Sequence, residues 1–314
     1  MAKKDYVYAV ARIRVLEKGL LSDAFIEQLI TAPDVPSVRR LLQEKGWEED
    51  LEKEEERIRE TMKDLGADPE IFEILNLPDR FHNLKAGIKD AASRESHPSA
   101  YYEGVDPDQK TIRKVIEEKN WTALPEYMQK PAEEVYDFFV HTMDGQLCDV
   151  MIDKACLDAV KAWGEASREP VIRDYAEAAV AAADIKIAAR CAMTKKTEAF
   201  IEKALAACDT LDVKRLTEAS ASGLTELMAY LELTPHKEAA AALKTSFSEF
   251  ERWCDNVSIE AIRPQKVNPF SAGPLFAYMV GRKNEIKTVR VILTGKENGL
   301  SGDAIRERVR RMYG

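Results

Sequence analysis

Three tripeptides of one pattern organise this chain. Asn83-Leu84-Lys85, Asp184-Ile185-Lys186 and Glu285-Ile286-Lys287 each read polar, aliphatic, lysine, and successive lysines stand 101 residues apart. Ile112 and Val213 hold the same separation, each at the start of a basic segment. Residues 111–121 (TIRKVIEEKNW) nearly repeat residues 37–47 (SVRRLLQEKGW), and Phe25 precedes Val38 by the same 13 residues that separate Phe200 from Val213. The ends echo one another too: Tyr8, Gly19-Leu20 and Asp23-Ala24-Phe25 return as Tyr278, Gly299-Leu300 and Asp303-Ala304-Ile305. A recurrence near 100 residues restricts the fold to copies of one supersecondary unit.

That unit reads as a helix bearing the tripeptide, a capped Ala-Phe-Ile-Glu type helix, a short basic helix and a longer helical hairpin. About three units follow an extra N-terminal copy of the first helix. Three helical lobes are expected, at residues 1–98, 99–199 and 200–314. Three like lobes form either an open solenoid or a closed pseudo-three-fold ring. A solenoid needs polar terminal repeats, and both ends here look like ordinary repeat helices, which favours the ring.

The class is all-α. Helical periodicity runs between the thirteen prolines, with almost no alternating pattern, and the prolines are expected to mark connections because one in a helix interior costs about 3 kcal/mol. Expected elements include a helix from Tyr6 to Lys18, one capped by Ser22, a short one capped by Ser37, and a very acidic one over 48–65 that reads as a solvated face. One long helix is expected over 132–164, with Val135, Phe139, Met143, Leu147, Met151, Ala155, Ala159 and Trp163 four apart and Gly145 as a place to bend. An alanine-rich helix over 171–193 suits close packing. Residues 94–108 are turn-rich and mark the first lobe boundary.

The balance of charge excludes some functions. A net charge of -9 argues against a general nucleic-acid binder, which needs cations to neutralise phosphates. No uncharged apolar run approaches the ~20 residues that span a bilayer, and the N-terminus lacks a signal peptide's apolar core. Five cysteines without a CxxC read as reduced thiols of a cytoplasmic protein. Histidines 82, 97, 141 and 236 show no metal-ligand spacing, so neither a metal nor another cofactor is expected. Thr294-Gly295-Lys296-Glu297 lacks the flanking residues of a phosphate-binding loop. No catalytic constellation is present.

The residues left to carry function are basic. Lys85, Lys186 and Lys287, with Arg190 and Arg290 four and three residues after the last two, could line a central opening; the plainer alternative is that each pairs with an acid of its own lobe or caps a helix end. The arginines at 306, 308, 310 and 311 suit either a helix C-terminus or an acidic partner.

Residues Tyr6, Tyr8, Ala11 and Arg12, the segment Phe81-His82-Asn83-Leu84-Lys85, and Glu285, Ile286, Arg290, Ile292, Leu293, Gly295, Lys296, Gly299 and Leu300 together resemble the C-type subunit of V-type/A-type rotary ATPases, the counterpart of the d-type subunit of the eukaryotic V-ATPase. The likeness runs over essentially the whole chain. It implies an all-helical, funnel-shaped arrangement of three lobes around a pseudo-three-fold axis, and a non-catalytic rotor component. It further implies a socket between the central-stalk subunits (D and F type) and the membrane rotor-ring subunits, on the cytoplasmic face, touching the membrane only through the ring. The first lobe departs from the pattern: Val38 to Lys85 is 47 residues, whereas Ile112 to Lys186 and Val213 to Lys287 are 74. A helical-repeat adaptor that binds other proteins, unrelated to rotary motors, is the alternative.

Overall fold

The structure, a computed structural model, describes residues 6–93 and 100–314. The first proposed lobe boundary, His97 and part of the turn-rich segment fall outside the described residues. The described residues are helical, without strands. The α-helices are α1 (Val7–Leu16), α2 (Asp23–Thr31), α3 (Val35–Glu44), α4 (Leu51–Asp64), α5 (Leu77–Ser93), α6 (Gln109–Glu118), α7 (Glu126–Thr142), α8 (Gly145–Ala166), α9 (Pro170–Thr194), α10 (Glu198–Glu202), α11 (Val213–Ser222), α12 (Leu224–Glu232), α13 (Lys237–Thr245), α14 (Phe247–Ile262), α15 (Gly273–Glu297) and α16 (Gly302–Arg306).

The chain divides into two compact units. The first comprises residues 1–72, 167–182 and 236–314; the second comprises 73–166 and 183–235. Helix α9 is shared, with its residues up to Ala182 in the first unit and those from Ala183 in the second.

In the first unit α15 is the core. Its apolar residues are not confined to one stripe, and such a helix is stable only when covered on most sides. From Gly273 to Arg282 every residue is buried, as are Glu285, Ile286, Thr288, Val289, Ile292, Leu293 and Gly295. Helices α1, α3, α4 and α14 pack on it. The chain's end closes over the same helix. Tyr313 is fully buried, and a Cβ at Gly281 would lie 2.9 Å from its ring, so only glycine leaves room.

In the second unit α5 packs on α6, α7 and α8, and α11 on α10 and α12. The helix expected over 132–164 is two helices. Met143 adopts left-handed backbone, φ 55°, after its N–H closes α7 on Phe139 O, and Asp144 Oδ1 accepts from Leu147 N to start α8. The break moves most of the buried register on by one: Val135 and Phe139 are buried before it, and Cys148, Ile152, Cys156 and Val160 after it, together with Ala159 of the expected stripe. Met143, on the expected stripe, is exposed.

Prolines also sit inside helices. Pro36, Pro78, Pro170 and Pro274 occupy first or second helical positions, where a missing N–H costs nothing; Pro131 lies within α7 itself. The cap of α3 is Asp34 rather than Ser37, because the helix starts ahead of Pro36 and the Asp34 carboxylate accepts from Ser37 N at 2.8 Å. Asp108 and Asp212 cap α6 and α11 in the same way. Four residues beyond these caps stand Val38, Ile112 and Leu216, all fully buried. The structural partner of Ile112 is thus Leu216, one helical turn past Val213.

Gly87 of α5 sets the approach of α6. A Cβ there would stand 2.3 Å from Ile112 Cγ2, in a side chain with no room to retreat. Gly87→Ala should lower stability by about 1–3 kcal/mol in urea unfolding, despite the ~1 kcal/mol that alanine adds to an open helix site. A midpoint equal to or above wild type would show that the two helices are not in close contact.

Candidate functional site

The tripeptides occupy corresponding places on α5, α9 and α15. Residues two apart on a helix are turned by about 200°, so the polar member and the lysine face opposite ways. The polar member faces inward: Asn83, Asp184 and Glu285 are fully buried, as are Leu84, Ile185 and Ile286. Lys85 and Lys186 are half-buried and Lys287 is exposed.

Each buried polar residue holds a stretch of irregular chain through its backbone. Asn83 Oδ1 accepts from Tyr102 N at 2.8 Å, and its Nδ2 donates to Tyr102 O at 3.1 Å. Asp184 Oδ1 accepts from Ala206 N at 3.0 Å. Glu285 Oε1 accepts from Leu21 N at 2.6 Å. Buried N–H groups outside regular structure need such acceptors, since leaving one unmade costs about 1–3 kcal/mol. Tyr102 and Ala206 both stand six residues before a capping aspartate, Asp108 and Asp212. The 101-residue recurrence therefore marks a chain-anchoring position as much as a row of lysines.

At Glu285 the anchor is part of a buried charge cluster. Arg282 Nη1 meets Glu285 Oε2 at 2.5 Å, and Nη2 meets Glu54 Oε1. The guanidinium also lies 4.5 Å above the Trp47 ring. Glu54 takes a further bond from Arg57 at 2.6 Å and accepts from Glu48 N at 3.1 Å. Glu54 belongs to the acidic run over 48–56, whose expected role was a solvated face; it is fully buried because Arg282 reaches it from α15. Burial raises the Glu285 carboxyl to about 7, against the opposing pull of Arg282 and the Leu21 N–H.

The basic residues are placed as follows. Lys85 pairs with Asp153 of α8 at 2.7 Å and Lys89 with Asp149 at 2.6 Å. Lys186 is half-buried and Arg190 exposed on α9. Arg290 reaches Glu52 at 3.1 Å and Glu55 at 3.9 Å on α4. It lines a shallow cleft of about 550 Å³ that also carries Arg39, Glu48, Glu49, Asp50 and Glu52. Within the second unit α5 and α8 are joined by two such pairs, and within the first α15 and α4 by the Arg282 cluster and the Arg290 pairs.

Other basic groups are engaged within the first unit. Lys296 donates to Ile30 O at 2.8 Å and to Ala32 O, closing the C-terminal end of α2. Arg306 pairs with Glu27 and with Asp303, Arg310 with Asp255 at 2.5 Å, and Arg311 with Glu260 at 3.0 Å. None of the five cysteines forms a disulfide. Burial pushes the Cys148 thiol up to about 11 and Cys156 to about 12, which leaves both unreactive near neutral pH.

Among the described residues, no group of three or more His, Cys, Asp or Glu side chains could hold a metal ion. Among them, too, no helix is long and apolar enough to cross a membrane. The buried polar residues fix irregular chain to long helices at three points.

Three outcomes follow from these ion pairs. Arg282→Met leaves two carboxylates facing each other without their shared cation, and should cost about 3–5 kcal/mol in urea unfolding, as broken buried pairs do. Lys85→Ala removes a half-exposed pair and should cost under about 1 kcal/mol. The folded chain also holds the Glu285 proton more tightly than the unfolded chain, whose carboxyl has the ordinary value of 4.5. Its contribution is present in full below about pH 4.5 and is lost as pH rises through about 7. The stability of wild type relative to Glu285→Gln should therefore fall between pH 5 and pH 8; a pH-independent difference would refute that assignment.

The sequence matches the family described as ATP synthase (C/AC39) subunit over residues 9–308. It is 22% identical, over 322 aligned positions, to the C-type subunit of the V-type sodium ATPase of Enterococcus hirae. That alignment covers 96% of this chain and 97% of the relative. With nearly the whole of its length accounted for by one family, the chain belongs to the ATP synthase (C/AC39) subunit family.

Proposed function

We propose that this chain is the non-catalytic rotor component of a V/A-type rotary ATPase, a socket that couples the central stalk to the membrane rotor ring. The observation that carries the proposal is the family match from residue 9 to residue 308, which accounts for the chain as a whole rather than for one part. The relative's name ties its kind to a V-type sodium ATPase. In this reading the chain sits on the cytoplasmic face of the membrane and contacts D- and F-type stalk subunits on one side and ring subunits on the other. Ion transport and ATP turnover are carried out by its neighbours.

A torque-bearing part must resist deformation. The buried anchors at 83, 184 and 285 support this role, because each ties a long helix to irregular chain through a bond sheltered from water. The reading keeps three repeats, over 1–98, 99–199 and 200–314, and places Lys85, Lys186, Arg190, Lys287 and Arg290 around the opening that receives the stalk. Lys287, Arg190 and Arg290 are exposed, as a contact role requires. Lys85 already has Asp153, so a stalk acid would have to share or displace that partner.

Two measurements test this. The tagged full chain, extracted from membranes in mild detergent, should co-purify with nucleotide-binding and ring subunits. Recovery only as a free protein, from cells with a normally assembled rotary ATPase, would favour the adaptor reading. Charge reversal at Lys186 and Lys287 together should weaken binding of purified stalk subunits at least tenfold while the helical circular dichroism is kept. Unchanged affinity in the folded double variant would remove these lysines from the opening without touching the family assignment.

A further inference from the structure

The charge cluster of the first unit lies behind a thin cover. Between α1 and α2 the chain makes one tight turn, Glu17–Gly19, and then extends through Leu20. In this stretch Lys18, Gly19, Ser22 and Asp23 are exposed, and Leu21 alone is buried. Its N–H donates to Glu285 Oε1 at 2.6 Å. The end of the chain lies against the same stretch: a Cβ at Gly314 would stand 2.6 Å from Leu21 O, and Met312 N donates to Asp23 Oδ1 at 3.3 Å.

Behind Leu21 the cluster holds more acid than base. Glu54, Arg282 and Glu285 are buried, while the second cation, Arg57, is half-exposed and reaches Glu54. The charges that act on Glu285 are Arg282 of its own helix and Glu54 of α4. Tyr278, one turn before Arg282, is kept protonated by its burial. Of the other helices packed on α15, α1 buries Ala9, Val10 and Ile13, and α3 buries Val38 and Leu42. Asp255 and Glu260 of α14 pair with Arg310 and Arg311, and Arg306 of α16 pairs with Glu27.

Two fully buried carboxylates therefore share one buried guanidinium, and a single residue separates one of them from solvent. We propose that the Leu21 stretch is a pH-sensitive latch over the Glu54–Arg282–Glu285 cluster, closed in acid and opening more often as the solution becomes alkaline. The sign follows from linkage. Closed, the Glu285 carboxyl is raised by burial to about 7; open to water, it returns towards the ordinary value of 4.5. The open form thus holds fewer protons, and opening becomes more frequent as pH rises from about 4.5 to about 7. The neutral acid keeps Oε1 as an acceptor for the Leu21 N–H, so the closed form does not require the charge. The event is local: one surface stretch lifts while α15, buried on most sides, stays folded. The inference rests on the cluster and its cover alone, independently of the rotary assignment.

The test is hydrogen–deuterium exchange of the purified full chain at pH 5, 6.5 and 8, with rates corrected for the intrinsic pH dependence of amide exchange. Opening at Leu21 is expected to become at least tenfold more frequent between pH 5 and pH 8, with no matching rise at the amides of residues 286–293 in α15. Glu285→Gln is neutral at every pH and keeps the acceptor, so the rise should shrink to under twofold. Glu54→Gln removes the repelling carboxylate and should move the rise to lower pH. Opening in wild type that is independent of pH, or an equal rise in Glu285→Gln, would overturn the proposal. So would a rise at Leu21 that the α15 amides match, because the whole unit would then be unfolding. Should Glu285→Gln fail to fold, an unmoved rise in Glu54→Gln has the same force.

Discussion

The first unit depends on one buried cation. Arg282 joins two carboxylates that lie 231 residues apart in sequence, Glu54 on α4 and Glu285 on its own helix, and stacks on Trp47. Taking three charges out of water is costly, and the attraction among them offsets that cost only where each oxygen and nitrogen is well placed. Here both oxygens of each carboxylate accept a bond. Apolar residues at these positions could give comparable stability but would not fix which part of the chain must meet which. The cluster specifies register: α4 to α15, and the Leu21 segment to both.

The same device recurs in milder form. Asn83 and Asp184 hold their chain segments through backbone bonds as well, so one helical position serves as anchor with an amide, a short acid and a long acid. Side-chain length follows the reach required. Where only one backbone N–H and O must be bound, the short amide of Asn83 satisfies both. At Glu285 the longer side chain reaches the Leu21 N–H and Arg282 together. A repeat can thus retain a function while changing the residue that performs it.

Much of this is legible in the residues. The all-helical class and the 101-residue recurrence can be read directly, because periodicity and proline placement report on local structure. The inward role of Asn83, Asp184 and Glu285 is harder to see, although its signal is there: each is a polar group set among aliphatic neighbours on a helix otherwise suited to burial. The lysines stand out instead, because charge is conspicuous in a sequence and a buried acceptor is not. The break at Met143 is hidden because left-handed backbone is uncommon for methionine, and the adjacent Gly145 points to a bend instead. Glu54 is indistinguishable from its six neighbouring acids, since what buries it lies more than two hundred residues away. The register of α11 slips by a turn because an insertion of three residues leaves helical periodicity nearly unchanged.

The burial of Tyr313 beneath α15 also has a meaning in time. The first unit draws on residues 1–72 and on 236–314, so its two main parts leave the ribosome separated by the whole of the intervening chain. At typical rates of synthesis that interval is on the order of ten seconds or more. Throughout it, α1 to α4 exist without the helix they are built around, and Glu54 without the arginine that neutralises it. The first unit can therefore be complete only after α15 is made and Tyr313 has closed over Gly281. Its early helices are therefore the part of the chain most exposed to chaperones, proteases and mispairing before the fold is complete.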